Sequence, residues 1–280
     1  MRAVLQGHPG VVFCDLALAR RLEGAEGTAN MRFVEARARL EPDLGACWKE
    51  VAGAHAMFDG PRSPCTQTFG LGLFQMPAAA EMERIETFFR ERGAPVFHEV
   101  SLLADAALTG MLNERGYRPV ELTSVLYLPL GSRQAAEGGA IRVRLAGKDE
   151  RELWARTAAE GWREAAEFAD LMDDLMRVVA EREGAEDFLA ELDGKPIAAG
   201  SLALHEGVAL LAGASTIPEY RRRGAQRALL EARLDHAARA GCDLAMLCAA
   251  PGGESQRNGE RHGFRIAYTR IKWRGCAQVC

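Results

Sequence analysis

The chain has 280 residues, of which 48% are hydrophobic and 26% are charged, so it can bury a full core and is not intrinsically disordered. Its 39 acidic and 35 basic residues give a net charge of −4 at pH 7, which excludes a global electrostatic attraction to nucleic acid or to an anionic membrane. The length allows one large domain or two moderate ones.

The N-terminal half predicts a largely helical first 45 residues and then an α/β pattern. Strand-like runs at 51–58 and 66–74 flank Asp59-Gly60, a dipeptide typical of hairpin turns. Four further elements follow in the order helix, strand, helix, strand, at 81–92, at 96–100, before Gly116 and at 122–128.

A segment rich in glycine and small polar residues separates the two halves. It runs from Pro129 to Gly139 and lies between two strand-like runs, which favours a domain boundary. We therefore predict an N-terminal domain at 1–130, a linker at 131–140 and a C-terminal domain at 141–280.

The C-terminal half predicts a strand, two helices and then three antiparallel strands. The three strands are joined by turns at Asp193-Gly194 and Glu206-Gly207. The predicted elements, in chain order, are strand 141–144, helices 149–159 and 165–182, strands 187–192, 197–204 and 208–216, helix 223–240, strand 244–248, a short helix and strand 266–273.

The two halves share the order helix, strand, helix, strand. Gly93 and Gly241, each after a helix, are 148 residues apart, and Gly116 and Gly263 are 147 residues apart. A nearly constant offset across two landmarks indicates duplication of one α/β unit.

The segment from Ser215 to Leu230 carries the strongest functional signal. A strand leads into a basic loop, Arg221 to Arg223, and Gly224 opens directly into a helix. The first turn of a helix has unpaired N–H groups and a partial positive charge, and glycine lets an anion approach the backbone. Three arginines at this end oppose the helix dipole, an arrangement that favours an anion site.

The anion site is neither a Walker loop, because GxxxxGK[ST] is absent, nor a dinucleotide fingerprint, because GxGxxG is incomplete. It resembles the acyl-CoA pyrophosphate loop of the GNAT superfamily, [Q/R]xxGx[G/A], with Arg221 and Gly224 in place and Gln226 at the last position. The order of elements over residues 141–274 resembles the GNAT fold. Residues 46–130 resemble a degenerate second copy, because the position of Gly224 corresponds there to Met76, without a basic loop.

The resemblance implies an α/β fold (a mixed α+β sheet) in which tandem GNAT-like domains have mostly antiparallel strands flanked by helices. It implies an N-acetyltransferase that uses acetyl-CoA as co-substrate and a small-molecule or peptide amine as acceptor, by direct attack in a ternary complex. The implied cofactor-binding residues are Ala214, Ser215, Thr216, Arg221, Arg222, Arg223, Gly224, Ala225, Gln226, Arg227 and Asn258.

The catalytic residues are less defined by the resemblance. GNAT enzymes often have a Tyr acid four residues before the Gly-Phe pair, and this chain has Gly259 there. Ser255 is the predicted contact to the cofactor sulfur and Tyr268 a second candidate acid. The candidates for the base are Glu191, His205 and Glu206, on or beside the central strands, and Glu191 is the one assigned to catalysis. The missing Tyr leaves open a non-catalytic acyl-CoA-binding or regulatory module, and a nucleotide-phosphate binder is a third reading.

The remaining features predict a cytoplasmic protein without a metal centre. The seven cysteines form no CxxC pair, and no histidine stands at zinc-ligand spacing beside them. No apolar run approaches the ~18–20 residues of a membrane span, and the N-terminus lacks the apolar core of a signal peptide. Homodimer formation is left open.

Overall fold

The computed structural model describes residues 13–131, 139–164 and 169–275. Most of the predicted linker (132–138) and the first four residues of the helix predicted at 165–182 lie outside these ranges. The helices are α1 (Leu16–Leu40), α2 (Ala79–Arg90), α3 (Ala106–Glu114), α4 (Arg151–Glu160), α5 (Ala169–Ala180), α6 (Ala225–Arg239) and α7 (Glu254–Arg261).

The strands form a single mixed sheet. Their bounds are β1 (Cys47–Val51), β2 (Ala54–Phe58), β3 (Gln67–Phe69), β4 (Phe97–Ser101), β5 (Arg118–Pro129), β6 (Ile141–Leu145), β7 (Ala185–Leu192), β8 (Lys195–His205), β9 (Val208–Thr216), β10 (Leu244–Ala249) and β11 (Arg265–Arg274). The order across the sheet is β1-β2-β3-β4-β11-β5-β10-β9-β8-β7-β6. The pairs β3–β4 and β9–β10 are parallel and the others are antiparallel, which confirms the predicted mixed α/β fold.

The last strand of each half lies within the other half's part of the sheet. Strand β5 pairs antiparallel with β10 from Leu244↔Pro129 to Ala249↔Ser124, and on its other side it pairs with β11. Strand β11 in turn pairs with β4, with Ile271 opposite Val100. Each half therefore lacks a complete sheet until the other half supplies a strand.

Residues with positive φ form the hairpin turns of the C-terminal half where the sequence predicts them. Asp193-Gly194 has φ of 52° and 77°, and Glu206-Gly207 has φ of 44° and 79°. The left-handed region suits glycine and is tolerated by few other residues. Both turn predictions are confirmed, and they set the register of β7, β8 and β9.

The prediction for residues 51–58 was wrong in one respect. The run contains a hairpin turn at Ala52-Gly53, with φ of 53° and 71°, which separates β1 from β2. Asp59-Gly60 does not join two strands directly but begins a loop that leads to β3. The buried Asp59 carboxylate accepts hydrogen bonds from Arg37 Nε at 2.8 Å and Ser63 Oγ at 2.6 Å, so it anchors this loop to α1.

The structure confirms the shared order of elements in the two halves, α2–β4–α3–β5 and α6–β10–α7–β11. The four landmark glycines all have positive φ near the end of a helix. The values are 63° at Gly93, 85° at Gly241, 78° at Gly116 and 89° at Gly263. A left-handed glycine at this position satisfies the last helical carbonyls, which explains why the same residue type stands there in both halves.

Helices cover both faces of the C-terminal part of the sheet. One face packs against α6, through a core that includes Leu229, Leu234 and Ala245. The opposite face packs against α4, α5 and the N-terminal helix α1, whose Leu22 and Ala25 contact a core that contains Leu210 and Met246. Thus α1 belongs to the N-terminal half in sequence and covers β9 and β10 of the C-terminal half in space. No helix in the described ranges is long and apolar enough to cross a membrane.

The exchanged strands predict that neither half folds alone. A fragment 1–131 would expose the edges of β4 and β5 that β11 and β10 cover, and a fragment 139–280 would lack the strand between β10 and β11. We expect each fragment alone to show no cooperative unfolding by circular dichroism, and the co-expressed fragments to purify as a complex that unfolds cooperatively. Cooperative unfolding of either fragment alone would contradict this account.

Candidate functional site

A groove opens where β9 and β10 diverge. The two strands pair only from Leu244↔Val208 to Met246↔Leu210. Beyond that point, residues 212–214 of β9 and 247–248 of β10 are partly exposed, whereas the preceding residues of both strands are buried. Within the described residues, β10 does not pair with β9 beyond Leu210, so the backbone groups of β9 on that side can bind an extended ligand.

A β-bulge shapes the β9 side of this groove. Ser201 of β8 pairs with Ala212 and Ala199 pairs with Ser215, so Gly213 and Ala214 together lie opposite Gly200. Gly213 has φ of 61°, a left-handed backbone conformation that residues with a side chain rarely adopt. Bulges bend a strand and interrupt pairing, and this one lies at the point where β9 turns away from β10.

A buried arginine supports the bulge from the α6 side. Arg233 Nη1 donates hydrogen bonds to the carbonyl oxygens of Ser201 at 3.1 Å and Ala212 at 3.4 Å, and its Nε donates to Leu229 O at 3.1 Å. Burial lowers the pKa of Arg233 to about 10, so the side chain remains cationic at neutral pH. A Cβ at Gly200 would lie 3.1 Å from the guanidinium, which explains glycine at that position.

The predicted anion loop leads from β9 to α6. Arg222 has φ of 62° and Gly224, the residue before the first turn of α6, has φ of 90°. The start of α6 has no side-chain cap and no acidic residue in its first turn, and a Cβ at Gly224 would have no heavy atom within 4 Å. The N–H groups of the first turn therefore face open space, as a phosphate site requires.

The residues of the predicted loop have different surroundings. Arg221 donates to Gly161 O at 3.0 Å and pairs with Glu164, so it ties the loop to the end of α4. Arg222 and Arg223 are exposed, and the Arg223 guanidinium lies 5.4 Å from the centroid of Tyr220. Exposed guanidinium groups beside an uncapped helix start can contact a phosphate without breaking other contacts.

The first turn of α6 is also held to β9. Gln226 Nε2 donates to Thr216 Oγ1 at 2.8 Å, and Arg227 Nε donates to Glu231 at 2.7 Å. Ala225 is buried. Gln226 stands at the sixth position of the motif, where the GNAT pattern has a small residue. Its side chain joins the start of α6 to the end of β9.

The end of α4 presses against the end of β9, a contact that the sequence did not reveal. Ser215 Oγ donates to Ala158 O at 2.6 Å. A Cβ at Gly161 would lie 2.4 Å from the Ser215 Cβ and 3.0 Å from the Thr216 nitrogen. Gly161 thus permits the close approach that brings α4 and the loop together.

The structure does not bring the two predicted catalytic residues together at the groove. Glu191 lies on β7, separated from β9 by β8, and its carboxylate accepts a hydrogen bond from Arg144 Nε at 2.8 Å. Ser255 is exposed near the start of α7, and Asn258 is half-buried on the same helix. The ion pair with Arg144 gives Glu191 a structural partner away from the groove.

A buried charged cluster that sequence reasoning missed lies beneath α1, next to the groove. We call it the α1 cluster; its members are Glu23 and Glu26 of α1, Glu99 of β4, Cys248 of β10, and Tyr268 and Arg270 of β11. Arg270 Nη2 donates to Glu26 Oε2 at 2.6 Å, and Tyr268 Oη donates to Glu23 Oε1 at 2.8 Å. The partners are up to 247 residues apart, as for Arg270 and Glu23, so no local pattern indicates the cluster.

Burial sets the protonation of this cluster. It raises the pKa of Glu23 to about 7, against the lowering effect of Arg270, and it raises the pKa of Tyr268 and of the Cys248 thiol above their ordinary values. At neutral pH Tyr268 and Cys248 are therefore neutral hydrogen-bonding groups. Tyr268, a candidate acid from the sequence, is instead packed against Glu23.

The corresponding helix start in the N-terminal half carries its own anion. Glu81 lies in the first turn of α2, and its Oε2 accepts a hydrogen bond from the Ala78 N–H at 2.8 Å. A phosphate at this position would compete with the Glu81 carboxylate and be repelled by it. This contrast supports the prediction that the N-terminal half lacks an acyl-CoA site.

The contact at Gly161 makes a prediction about stability. Gly161→Ala forces the end of α4 away from Ser215, so we expect the free energy of unfolding to fall by about 1–3 kcal/mol. Gly24→Ala, inside α1 where a Cβ meets no atom within 4 Å, is the control and should raise it by about 0.5–1 kcal/mol. Urea unfolding measures both, and equal effects of the two substitutions would contradict the contact.

The raised pKa of Glu23 makes a prediction about pH. The folded protein binds this proton more tightly than the unfolded chain, whose glutamate has a pKa of about 4.5, so Glu23 lowers the free energy of unfolding as pH rises from about 4.5 to about 7. In Glu23→Gln the loss of stability between pH 5 and pH 8 should shrink by about 1–3 kcal/mol. Urea unfolding across this range, with the exposed Glu35→Gln as control, measures it; identical slopes in wild type and Glu23→Gln would overturn the assignment.

Comparison with known proteins agrees with this geometry. Residues 149–264 match the acetyltransferase (GNAT) family, a range that contains β9, the anion loop, α6 and β10. No curated protein matches the chain.

Solved structures share the fold over nearly the whole chain. A GCN5-related N-acetyltransferase from Kribbella flavida is 18% identical with a TM-score of 0.68, and the match covers 93% of this chain and 96% of that one. A GCN5-related N-acetyltransferase from Sphaerobacter thermophilus is 17% identical with a TM-score of 0.53, covering 94% of each chain. A tandem GNAT protein from the clavulanic acid biosynthesis pathway is 14% identical with a TM-score of 0.57, covering 81% and 80%.

The family match falls on the half that carries the open helix start, and the structural likeness extends over both halves. Residues 149–264 therefore match the GNAT acetyltransferase family, and the chain as a whole shares its fold with GNAT proteins of known structure.

Proposed function

We propose that the protein transfers an acetyl group from acetyl-CoA to the amine of a small molecule or peptide, by direct attack in a ternary complex. The observation that carries this proposal is the groove between β9 and β10, which leads to the uncapped start of α6. One end of the groove suits an extended thioester arm, and the other suits a pyrophosphate.

The pyrophosphate would bind the N–H groups of Ala225, Gln226 and Arg227, with Arg222 and Arg223 as charge-assisted donors. Arg221 would hold the loop in place rather than contact the pyrophosphate, because its guanidinium already binds Gly161 O and Glu164. The absence of a side-chain cap and of a first-turn acid on α6 is the observation that fits an anion to these residues.

The pantetheine arm would run along β9 beyond Leu210, where pairing with β10 has ended. Backbone groups of Ala214, Ser215 and Thr216 would hydrogen-bond its amides and orient the thioester carbonyl. We propose Ser255 and Asn258 of α7 as the hydroxyl and amide groups nearest the sulfur. They would hydrogen-bond the leaving thiolate.

The reaction needs little covalent chemistry from the protein. An ammonium loses one proton, the free amine attacks the thioester carbon, and the C–S bond breaks as the C–N bond forms. The thiolate of CoA leaves and takes up a proton, so the products are an N-acetyl amine, CoA and one net proton. The protein therefore has to supply two things: it positions the amine against the thioester, and it transfers protons.

One observation favours the alternative, a non-catalytic acyl-CoA-binding or regulatory module. Gly259 stands where many GNAT enzymes have the Tyr acid, and a Cβ there would lie 3.3 Å from Leu247 Cδ2. A side chain at this position would have to displace the end of the Leu247 side chain. Binding and turnover must therefore be measured separately.

The anion site is tested by Gly224→Glu and by the double change Arg222→Ala with Arg223→Ala. The first puts a carboxylate at the helix start and the second removes two donors, so we expect the affinity for acetyl-CoA to fall about 10- to 100-fold in each. Isothermal titration measures affinity, and thiol release over a panel of primary amines measures turnover. Arg239→Ala, exposed in the last turn of α6, is the matched control and should bind normally.

The outcomes separate the functions. The acetyltransferase is supported if the loop variants bind acetyl-CoA more weakly and the wild-type protein acetylates at least one amine. The non-catalytic module is supported if the wild-type protein binds acetyl-CoA but acetylates no amine. Equal competition by ATP would favour a general nucleotide-phosphate site. Unchanged affinity in both loop variants would contradict the proposed site.

A further inference from the structure

The two strands that form the groove bring no carboxylate to it. Strand β9 has the sequence VALLAGAST and β10 has LAMLCA, so their one ionisable side chain is Cys248, whose pKa burial raises. A group that accepts a proton from an amine must therefore come from another element.

Glu26 of α1 is the carboxylate that the structure places there. Its Oε2 lies 3.0 Å from the Sγ of Cys248, a residue of β10 just beyond the last pair with β9. The Glu26 side chain is 17% exposed, whereas those of Glu23 and Arg270 are 1% and 0% exposed. Glu26 is thus the accessible edge of the α1 cluster on the groove side.

The charges of the α1 cluster do not balance. Three carboxylates share one guanidinium: Arg270 Nη2 is 2.6 Å from Glu26, and Arg270 Nε is 3.5 Å from Glu23 and 3.8 Å from Glu99. Cys248 and Tyr268, the other titratable members, are neutral, and His55 of β2 lies beside Gly27 rather than Glu26. The cluster retains negative charge next to the groove.

Three buried atoms of the cluster also have no hydrogen-bond partner among the described residues. They are Glu23 Oε2 and both Nε and Nη1 of the same Arg270 guanidinium that contacts Glu26 and Cys248. Unsatisfied buried polar atoms are rare and indicate a missing ligand or water. Of these atoms Glu23 Oε2 is an acceptor and the guanidinium nitrogens are donors, so an ammonium, with three N–H donors and one positive charge, supplies what the carboxylates lack and leaves the guanidinium nitrogens to water.

We infer that Glu26, donated by the N-terminal half, binds the acceptor ammonium in the C-terminal site and takes its proton. The inference rests on the proposed acetyl transfer, and it assigns the acceptor to the class of cationic primary amines. Glu26 accepts one proton from R–NH₃⁺, the resulting amine attacks the thioester carbon, and the C–S bond breaks to release CoA. The nitrogen loses a second proton as it becomes an amide, and the leaving thiolate takes up that proton. The proton on Glu26 passes to solvent.

The test compares wild type with Glu26→Gln, which keeps the shape and the hydrogen bond to Arg270 but cannot take a proton. Glu35→Gln is the control, on the same helix but exposed and bonded to Trp48 on β1. The probes are 1,4-diaminobutane, Nα-acetyl-lysine, a dipeptide with a free N-terminus, and the alcohol analogue of the best amine. Titration with acetyl-CoA, amine binding to the CoA-loaded protein and pH profiles of kcat/KM are measured.

We expect Glu26→Gln to bind acetyl-CoA as wild type does, to lose amine binding, and to show kcat/KM reduced about 10²- to 10⁴-fold near pH 7. Part of the loss should be recovered at high pH, where free amine is abundant, and the alcohol should bind neither protein. Glu35→Gln should match wild type.

The inference would be overturned if Glu26→Gln bound the amine and showed a pH profile of kcat/KM as wild type does. It would also be overturned if the wild-type protein bound acetyl-CoA but neither bound nor acetylated any amine, a result that would still support the cofactor site. A wild type that does not bind acetyl-CoA would refute the proposed function itself.

Discussion

The exchange of the last strands between the two halves is the constraint on which the rest of the structure depends. Because β5 lies between β10 and β11, and β11 lies between β4 and β5, the hydrogen bonds at the centre of the sheet all join the halves. The exchange places Arg270 of the C-terminal half beside Glu99 of the N-terminal half. It also holds β10 in the position from which it diverges from β9.

The corresponding helices of the two halves, α6 and α2, differ in the charged groups at their N-termini. In the C-terminal half α6 begins at a left-handed glycine with exposed arginines and no cap, and in the N-terminal half α2 begins with Glu81 hydrogen-bonded to its own N-cap backbone. One start is open to an external anion and the other is satisfied internally. The N-terminal half instead contributes α1, which covers the acceptor side of the groove and supplies Glu26.

Local features were predictable from the sequence and long-range ones were not. The Asp193-Gly194 and Glu206-Gly207 turns and the loop before Gly224 are contiguous patterns, and the structure has all of them. The Ala52-Gly53 turn was missed because alanine rarely adopts a positive φ. The strand exchange leaves no mark on local periodicity, since β5 remains an ordinary strand whichever partner it has.

The site followed the same division. Spacing predicted that the basic loop Arg221 to Arg223 lies between a strand and a helix start, but it could not show that Arg221 binds the end of α4, or that Glu191 pairs with Arg144. Glu26 lies 222 residues from Cys248, in a region that the sequence predicted only to be largely helical. A base that comes from the other half of a duplicated chain is visible only once the halves are assembled.

A crystal structure of the protein with CoA tests the central claim most directly. The account predicts one CoA per chain, with the pyrophosphate on the N–H groups at the start of α6, the pantetheine beside β9 beyond Leu210, and the thiol in the groove near Cys248 and Glu26. CoA bound at the N-terminal half, or with its phosphates away from Gly224, would contradict it.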